Sequence, residues 1–128
     1  MISAYINLDK KHASFLQVFK DAGIKKLNIK KIQNQNQLDI SLTSLSKYGE
    51  TKKNLSDIES ASKTVPELII CDEEDFDQTL DLIKNPRIEV ISSASGLVEV
   101  NARIESLLGE SSSEKIKFKD LVINLKTY

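Results

Sequence analysis

From Pro66 to Gly109 the apolar and polar positions switch between two periods. ELIIC, residues 67–71, is a short apolar run opened by a proline, and IEVIS, residues 88–92, is another; both read as strands. Between them Phe76, Leu80 and Ile83 recur at helical spacing. After the second run, Leu97, Val100, Ile104 and Leu107 make one apolar face of a longer helix. Strand, helix, strand, helix with few spare residues predicts a parallel sheet wrapped by helices.

The preceding residues extend that pattern. ISAYINL (Ile2 to Leu8) predicts a first strand, and Asp9 is placed to cap a helix whose stripe of Phe15, Leu16, Phe19 and Ala22 stops at Gly23. LNIKKI (Leu27 to Ile32) reads as a second strand and QNQNQ as a turn. Leu38, Ile40 and Leu42, alternating with Asp39 and Ser41, read as a third strand. A parallel pairing needs a crossover of about a dozen residues. This short join therefore predicts either an irregular crossover or two locally antiparallel strands. SLSKYGE reads as loop, and a helix follows from about Thr51 to Lys63 with Leu55, Ile58 and Ala61 inward. After Gly109, ESSSE has linker composition, and KIKFKDLVINLKTY is β-prone without a following partner.

Composition narrows the function classes. At 128 residues and 40% hydrophobic content the chain supports one core. A net charge of −1 and a pI near 5.9 argue against a bulk electrostatic grip on nucleic acid. There is no apolar run long enough to span a bilayer and no signal-peptide pattern, so no membrane partner and a cytoplasmic location are expected. The single cysteine, Cys71, lies in a strand pattern and is expected to be a buried, reduced thiol. The one histidine, His12, lacks sequence partners for a metal site or a catalytic triad and is expected to be a surface or packing residue. With no glycine-rich phosphate loop and no nucleophile beside a base, neither an enzyme nor a cofactor or metal is expected.

The order of elements resembles the receiver domain of bacterial response regulators of the OmpR/PhoB type. VNARIESLLGESSSEKIKFKDLVINLKTY is similar to the family's last receiver helix, a short linker and the opening strand of a winged-helix DNA-binding domain. From Gln37 to Gly109 the family pattern can be laid on without a gap. The resemblance implies a receiver-like (flavodoxin-like) α/β fold: a five-stranded, mainly parallel sheet with flanking helices, the helix between strands two and three missing or irregular. It implies a receiver-like domain over residues 1–109, a linker over 110–114 and the first strand of a truncated winged-helix domain over 115–128. Typical members gather Mg²⁺ with carboxylates at the strand ends, so that an aspartate after strand three can accept a phosphoryl group.

This chain departs from that pattern at each position. The phosphoacceptor falls on Thr43, the acidic pair on Asn7 and Leu8 or on Leu8 and Asp9, the Thr/Ser switch on Cys71 and the lysine on Ser93, followed by Ala94 in place of proline. The resemblance thus implies a phosphorylation-independent dimerisation domain of a transcription regulator, reaching DNA only through a following domain. A rival alignment makes Asp72 the phosphoacceptor, Ser92 or Ser93 the switch, and Asp72, Glu73, Glu74, Asp75 and Asp77 the metal ligands. The plainer reading of that acidic run is favourable charge at a helix N-terminus. A third reading is a stand-alone pseudo-receiver that docks on another protein.

The family's homodimer surface, made by its helix four, strand five and helix five, falls on Leu80, Ile83 and Ala102 as an apolar patch. One ion pair falls on Glu89 and Arg103; Glu99 fits another, whose basic partner position is Thr79. The competing expectation is that Leu80 and Ile83 face the core and that Glu89 and Arg103 are solvated surface.

Overall fold

The computed structural model describes residues 2–59 and 64–109. Five strands form one parallel sheet: β1 (Ile2–Asn7), β2 (Ile24–Lys26), β3 (Ile40–Ser44), β4 (Glu67–Cys71) and β5 (Ile88–Ser92), in the spatial order β2-β1-β3-β4-β5. Among the described residues three α-helices accompany it: α1 (Phe15–Asp21), α2 (Tyr48–Ser56) and α3 (Leu97–Gly109). This is an α/β, flavodoxin-like arrangement, as expected.

The strand alternation sorts side chains onto two faces. Ala4, Ile6, Ile40, Leu42, Leu68, Ile70 and Ile91 point to one side, where Phe15 and Phe19 of α1 and Val100, Ile104 and Leu107 of α3 cover them. Tyr5 points to the other side and joins Ile32, Leu38, Leu55 and Val65 in a smaller core. That second face also buries polar groups. Glu67 accepts from Lys52 Nζ at 3.2 Å through Oε2, while its Oε1 has no hydrogen-bond partner among the described residues. The Tyr48 phenol nearby is pushed well above its ordinary pKa by burial and then by Glu67.

Four elements differ from expectation. Gly23, at φ 83°, turns the chain straight from α1 into β2, so the second strand is Ile24–Lys26 and not Leu27–Ile32. Leu27, Ile29 and Ile32 instead join the second core, with a 3-10 turn at Ile29–Lys31 capped by the Asn28 side chain. The short join is an irregular crossover: β2 and β3 do not pair with each other but flank β1, both parallel to it. QNQNQ holds another 3-10 turn, Gln35–Gln37, closed by a capping box from Asn34 and Gln37.

α2 begins at Tyr48, inside the stretch expected to be loop, and ends at Ser56; Ala61 lies outside the described residues, as does everything after Gly109. Finally, the expected helix around Phe76, Leu80 and Ile83 is a run of 3-10 turns, Glu73–Thr79 and Leu82–Lys84, and those three side chains stay exposed. α3 buries Val100, Ile104 and Leu107 as expected, but Leu97 at its start is exposed.

Candidate functional site

Ligands of open parallel sheets gather at the carboxyl ends of the strands. Here β1, β3 and β4 are neighbours, with Asn7 opposite Thr43 and Thr43 opposite Ile69. Thr43, the expected acceptor position, is fully buried under α2. Its hydroxyl donates to Thr51 Oγ1 at 3.2 Å and lies 3.4 Å from Ser41 Oγ, and Asn7 Nδ2 donates to the same Thr51 oxygen at 3.2 Å. Leu8 packs on the first core. These neutral groups satisfy one another and offer no carboxylate.

The charged groups form a second network one layer further out. The Asp9 N–H donates to Ser44 Oγ at 2.8 Å, and its carboxylate accepts from the Lys11 N–H and, at 2.7 Å, from Ser46 Oγ. The Ser46 bond, followed by the Lys11 amide, lowers the Asp9 carboxyl below its ordinary pKa. His12 is only 5% exposed, which excludes a surface position and leaves it a packing residue that also bonds its neighbours. Its Nδ1 lies 2.7 Å from Ser44 Oγ, its Nε2 lies 3.1 Å from Asp72 Oδ1, and its ring stands edge-on to Phe15. With the Asp9 amide donating to Ser44 Oγ, the Nε2–H tautomer completes a chain: Ser44 O–H to Nδ1, then Nε2–H to Asp72.

Asp72 closes that chain. Lys11 Nζ meets its Oδ2 at 2.6 Å while His12 holds Oδ1. Its carboxyl lies well below the usual carboxylate range, first because of Lys11, then because of Ser93 and His12. Side-chain oxygens of Asp72, Glu74 and Asp75 all lie within 4.8 Å of one another; Glu73 and Asp77 are not in that group. Cys71 is buried and unpaired as expected, its Sγ against the Asp72 carbonyl; burial and then the acids Asp75, Asp72 and Asp77 push its thiol up to about 11. Ser93, at the expected lysine position, donates its N–H to the Cys71 carbonyl at 2.9 Å.

Ser44, His12 and Asp72 thus stand in the order of a Ser-His-Asp relay. Ser44 is wholly enclosed and its oxygen already accepts the Asp9 amide, so no substrate carbonyl can reach it. The arrangement acts as a latch joining the ends of β1, β3 and β4. No spacing rule finds it: the three residues come together only because those strands are adjacent.

Around β5 the geometry is the reverse. Leu80 is 59% exposed and Ile83 48%, which excludes the core reading of both. With Phe76, Ile88 and Val90 they line a groove of about 390 Å³, and Glu89 and Arg103 stand at its rim. Arg103 bonds Glu89 at 3.1 Å and Glu99 at 2.7 Å within the same chain, so Glu99 finds a partner that the sequence alignment did not give it. Thr79 instead donates to the Phe76 carbonyl. Ala102 is exposed on α3.

No protein-family model matches the chain, and no curated protein matches it significantly. The structure is similar to that of an adenylate cyclase from Rhodopirellula baltica, with a TM-score of 0.57 and 7% identity, covering 94% of this chain and 99% of that one. At that identity the likeness concerns the fold alone. No helix among the described residues is long and apolar enough to cross a membrane.

Proposed function

We propose that this chain is a receiver-like domain of an OmpR/PhoB-type transcription regulator, a constitutive homodimerisation module that works without phosphorylation. It acts in the cytoplasm and reaches DNA through a following domain. The observation that carries this reading is the groove beside β5, where Leu80 and Ile83 of the β4–β5 connection stay exposed next to the edge strand. A two-fold contact uses the same patch on both subunits, so each buried aliphatic counts twice, at roughly 1.5–3 kcal/mol for complete burial. The rim charges Glu89, Arg103 and Glu99, already paired within the chain, set register more than affinity. Sedimentation equilibrium from low micromolar to near-millimolar concentration tests it. A dimer weakened by Glu89→Arg supports the reading; a monomer throughout, with Glu89→Arg no different, overturns it.

A second reading, phosphoryl acceptance by Asp72, draws support from Glu74 and Asp75 beside it and from Lys11 on its carboxylate. Acetyl phosphate with Mg²⁺ would then add a stable phosphoryl mass that Asp72→Asn abolishes. The latch argues against it, since both Asp72 oxygens are engaged.

A further inference from the structure

The opposite edge of the sheet carries the other unbalanced surface of the molecule. β2 pairs with β1 on one side only. The Gly23 carbonyl accepts from the Ile2 N–H and the Leu27 N–H donates to the Ala4 carbonyl. By the two-residue alternation of a parallel ladder, the backbone groups of Ile24 and Lys26 therefore point away from β1. Beside them, between α1 and β2, runs a groove of about 400 Å³ with Leu16, Phe19 and Ile24 on its floor and Lys20, Lys25 and Lys26 on its rim. Leu16 is 42% exposed there.

Charge at this edge has one sign. Lys20, Lys25, Lys26, Lys30 and Lys31 are all exposed, and none of them is in an ion pair among the described residues. Asp21 is the one acid between Lys20 and Leu38, and Gln17 holds its carboxylate at 2.8 Å. Lysines on an edge strand repel basic strands and would be desolvated unpaired by neutral ones, and so guard against indiscriminate sheet extension. The same lysines select an acidic strand, because only its side chains neutralise them.

We propose that β2 and this groove form a docking edge for an acidic, partly aliphatic peptide segment of a partner protein. The segment adds as a strand beside Ile24–Lys26, its backbone meeting the outward groups of Ile24 and Lys26. Its Asp or Glu side chains meet Lys20, Lys25 and Lys26, and one aliphatic side chain enters the groove at Leu16. A nucleic acid fits this surface less well. Both arginines of the chain are elsewhere, Phe19 is fully buried and gives no stacking face, and the exposed side chain of the floor is the aliphatic Leu16. The chain's own residues 115–128 carry four lysines against one aspartate, the wrong sign for this edge. The edge lies across the sheet from the β5 groove, so both could be occupied at once.

The test is fluorescence anisotropy of the full chain with a labelled peptide alternating Glu with Val and Leu. Saturable binding is expected, weakened at least tenfold by Lys25→Glu with Lys26→Glu, and severalfold by Leu16→Ser, with circular dichroism confirming that each variant folds. Replacing the central Val by Pro, or all aliphatics by Ser, should also abolish it. Equal binding of the Ser peptide would reduce the edge to a nonspecific cation patch and overturn the proposal. Tighter binding of a single-stranded oligonucleotide would overturn it in favour of nucleic acid. Self-association lost in the lysine variant but kept in Leu80→Asp would overturn it in favour of a second copy. No binding of the acidic peptide overturns it outright, whatever the result for the β5 groove.

Discussion

The carboxyl ends of β1, β3 and β4 and the outer side of β5 lie in one small domain and treat their side chains in opposite ways. At the strand ends the polar groups nearest the sheet are consumed internally: Thr43 and Asn7 by Thr51, Ser44 by Asp9 and His12, Asp72 by His12 and Lys11. At β5 the apolar groups Phe76, Leu80 and Ile83 are left unconsumed. Satisfied polar groups rigidify and make weak ligands, whereas exposed aliphatics on a fixed edge gain by meeting a partner. The place where a parallel sheet ordinarily works is closed here, and the surface with free energy still to release is at the side.

The comparison breaks most severely at Thr43. Thr43→Asp would bury a carboxylate among the neutral hydroxyls of Ser41 and Thr51, at a cost of about 4 kcal/mol. A loss of that order in urea unfolding, or outright failure to fold, is expected; an unchanged midpoint would mean the strand end is open after all. Next comes His12→Ala, which deletes a buried ring and one hydrogen-bond partner each of Ser44 and Asp72, for a loss of about 3 kcal/mol. On the open side Leu80→Asp should change stability by less than about 0.5 kcal/mol. It should weaken self-association roughly tenfold or more, read by sedimentation. Equal losses of stability from His12→Ala and Leu80→Asp would erase the distinction.

The smallest effect sharpens the closed side. Asp72 has a folded pKa below its ordinary 3.8, so its bonds to Lys11, Ser93 and His12 stabilise the fold above that value and stop doing so as pH falls through the folded value. Asp72→Asn should therefore flatten the acid limb of the stability–pH curve, with urea midpoints at pH 7 and pH 3 moving closer together. An unchanged slope would mean that Lys11 and His12 do not hold the carboxylate in solution.

Hydropathy made β4, β5 and α3 legible because each buries a run or stripe that matches its period: ELIIC throughout, Ile88 and Ile91, and Val100, Ile104 and Leu107. β2 was hidden because an edge strand of three residues buries only Ile24, and the richer run after it serves the second core from a turn. Phe76, Leu80 and Ile83 show another limit: spacing tells which side chains share a face, not whether anything covers it. The latch was illegible because His12 is 32 residues from Ser44 and 60 from Asp72. Only the order β1-β3-β4, which no residue pattern spells out, brings them together.

The hydroxyl ladder of Ser41, Thr43 and Thr51 also bears on the history open to this sequence. Each member is held by its neighbour, so a charge introduced at one position is harmful until the others have changed as well. A charged group at this strand end is therefore separated from the present sequence by unstable intermediates. Drift can adjust the two sheet edges one residue at a time, but it cannot readily place a charge in the centre.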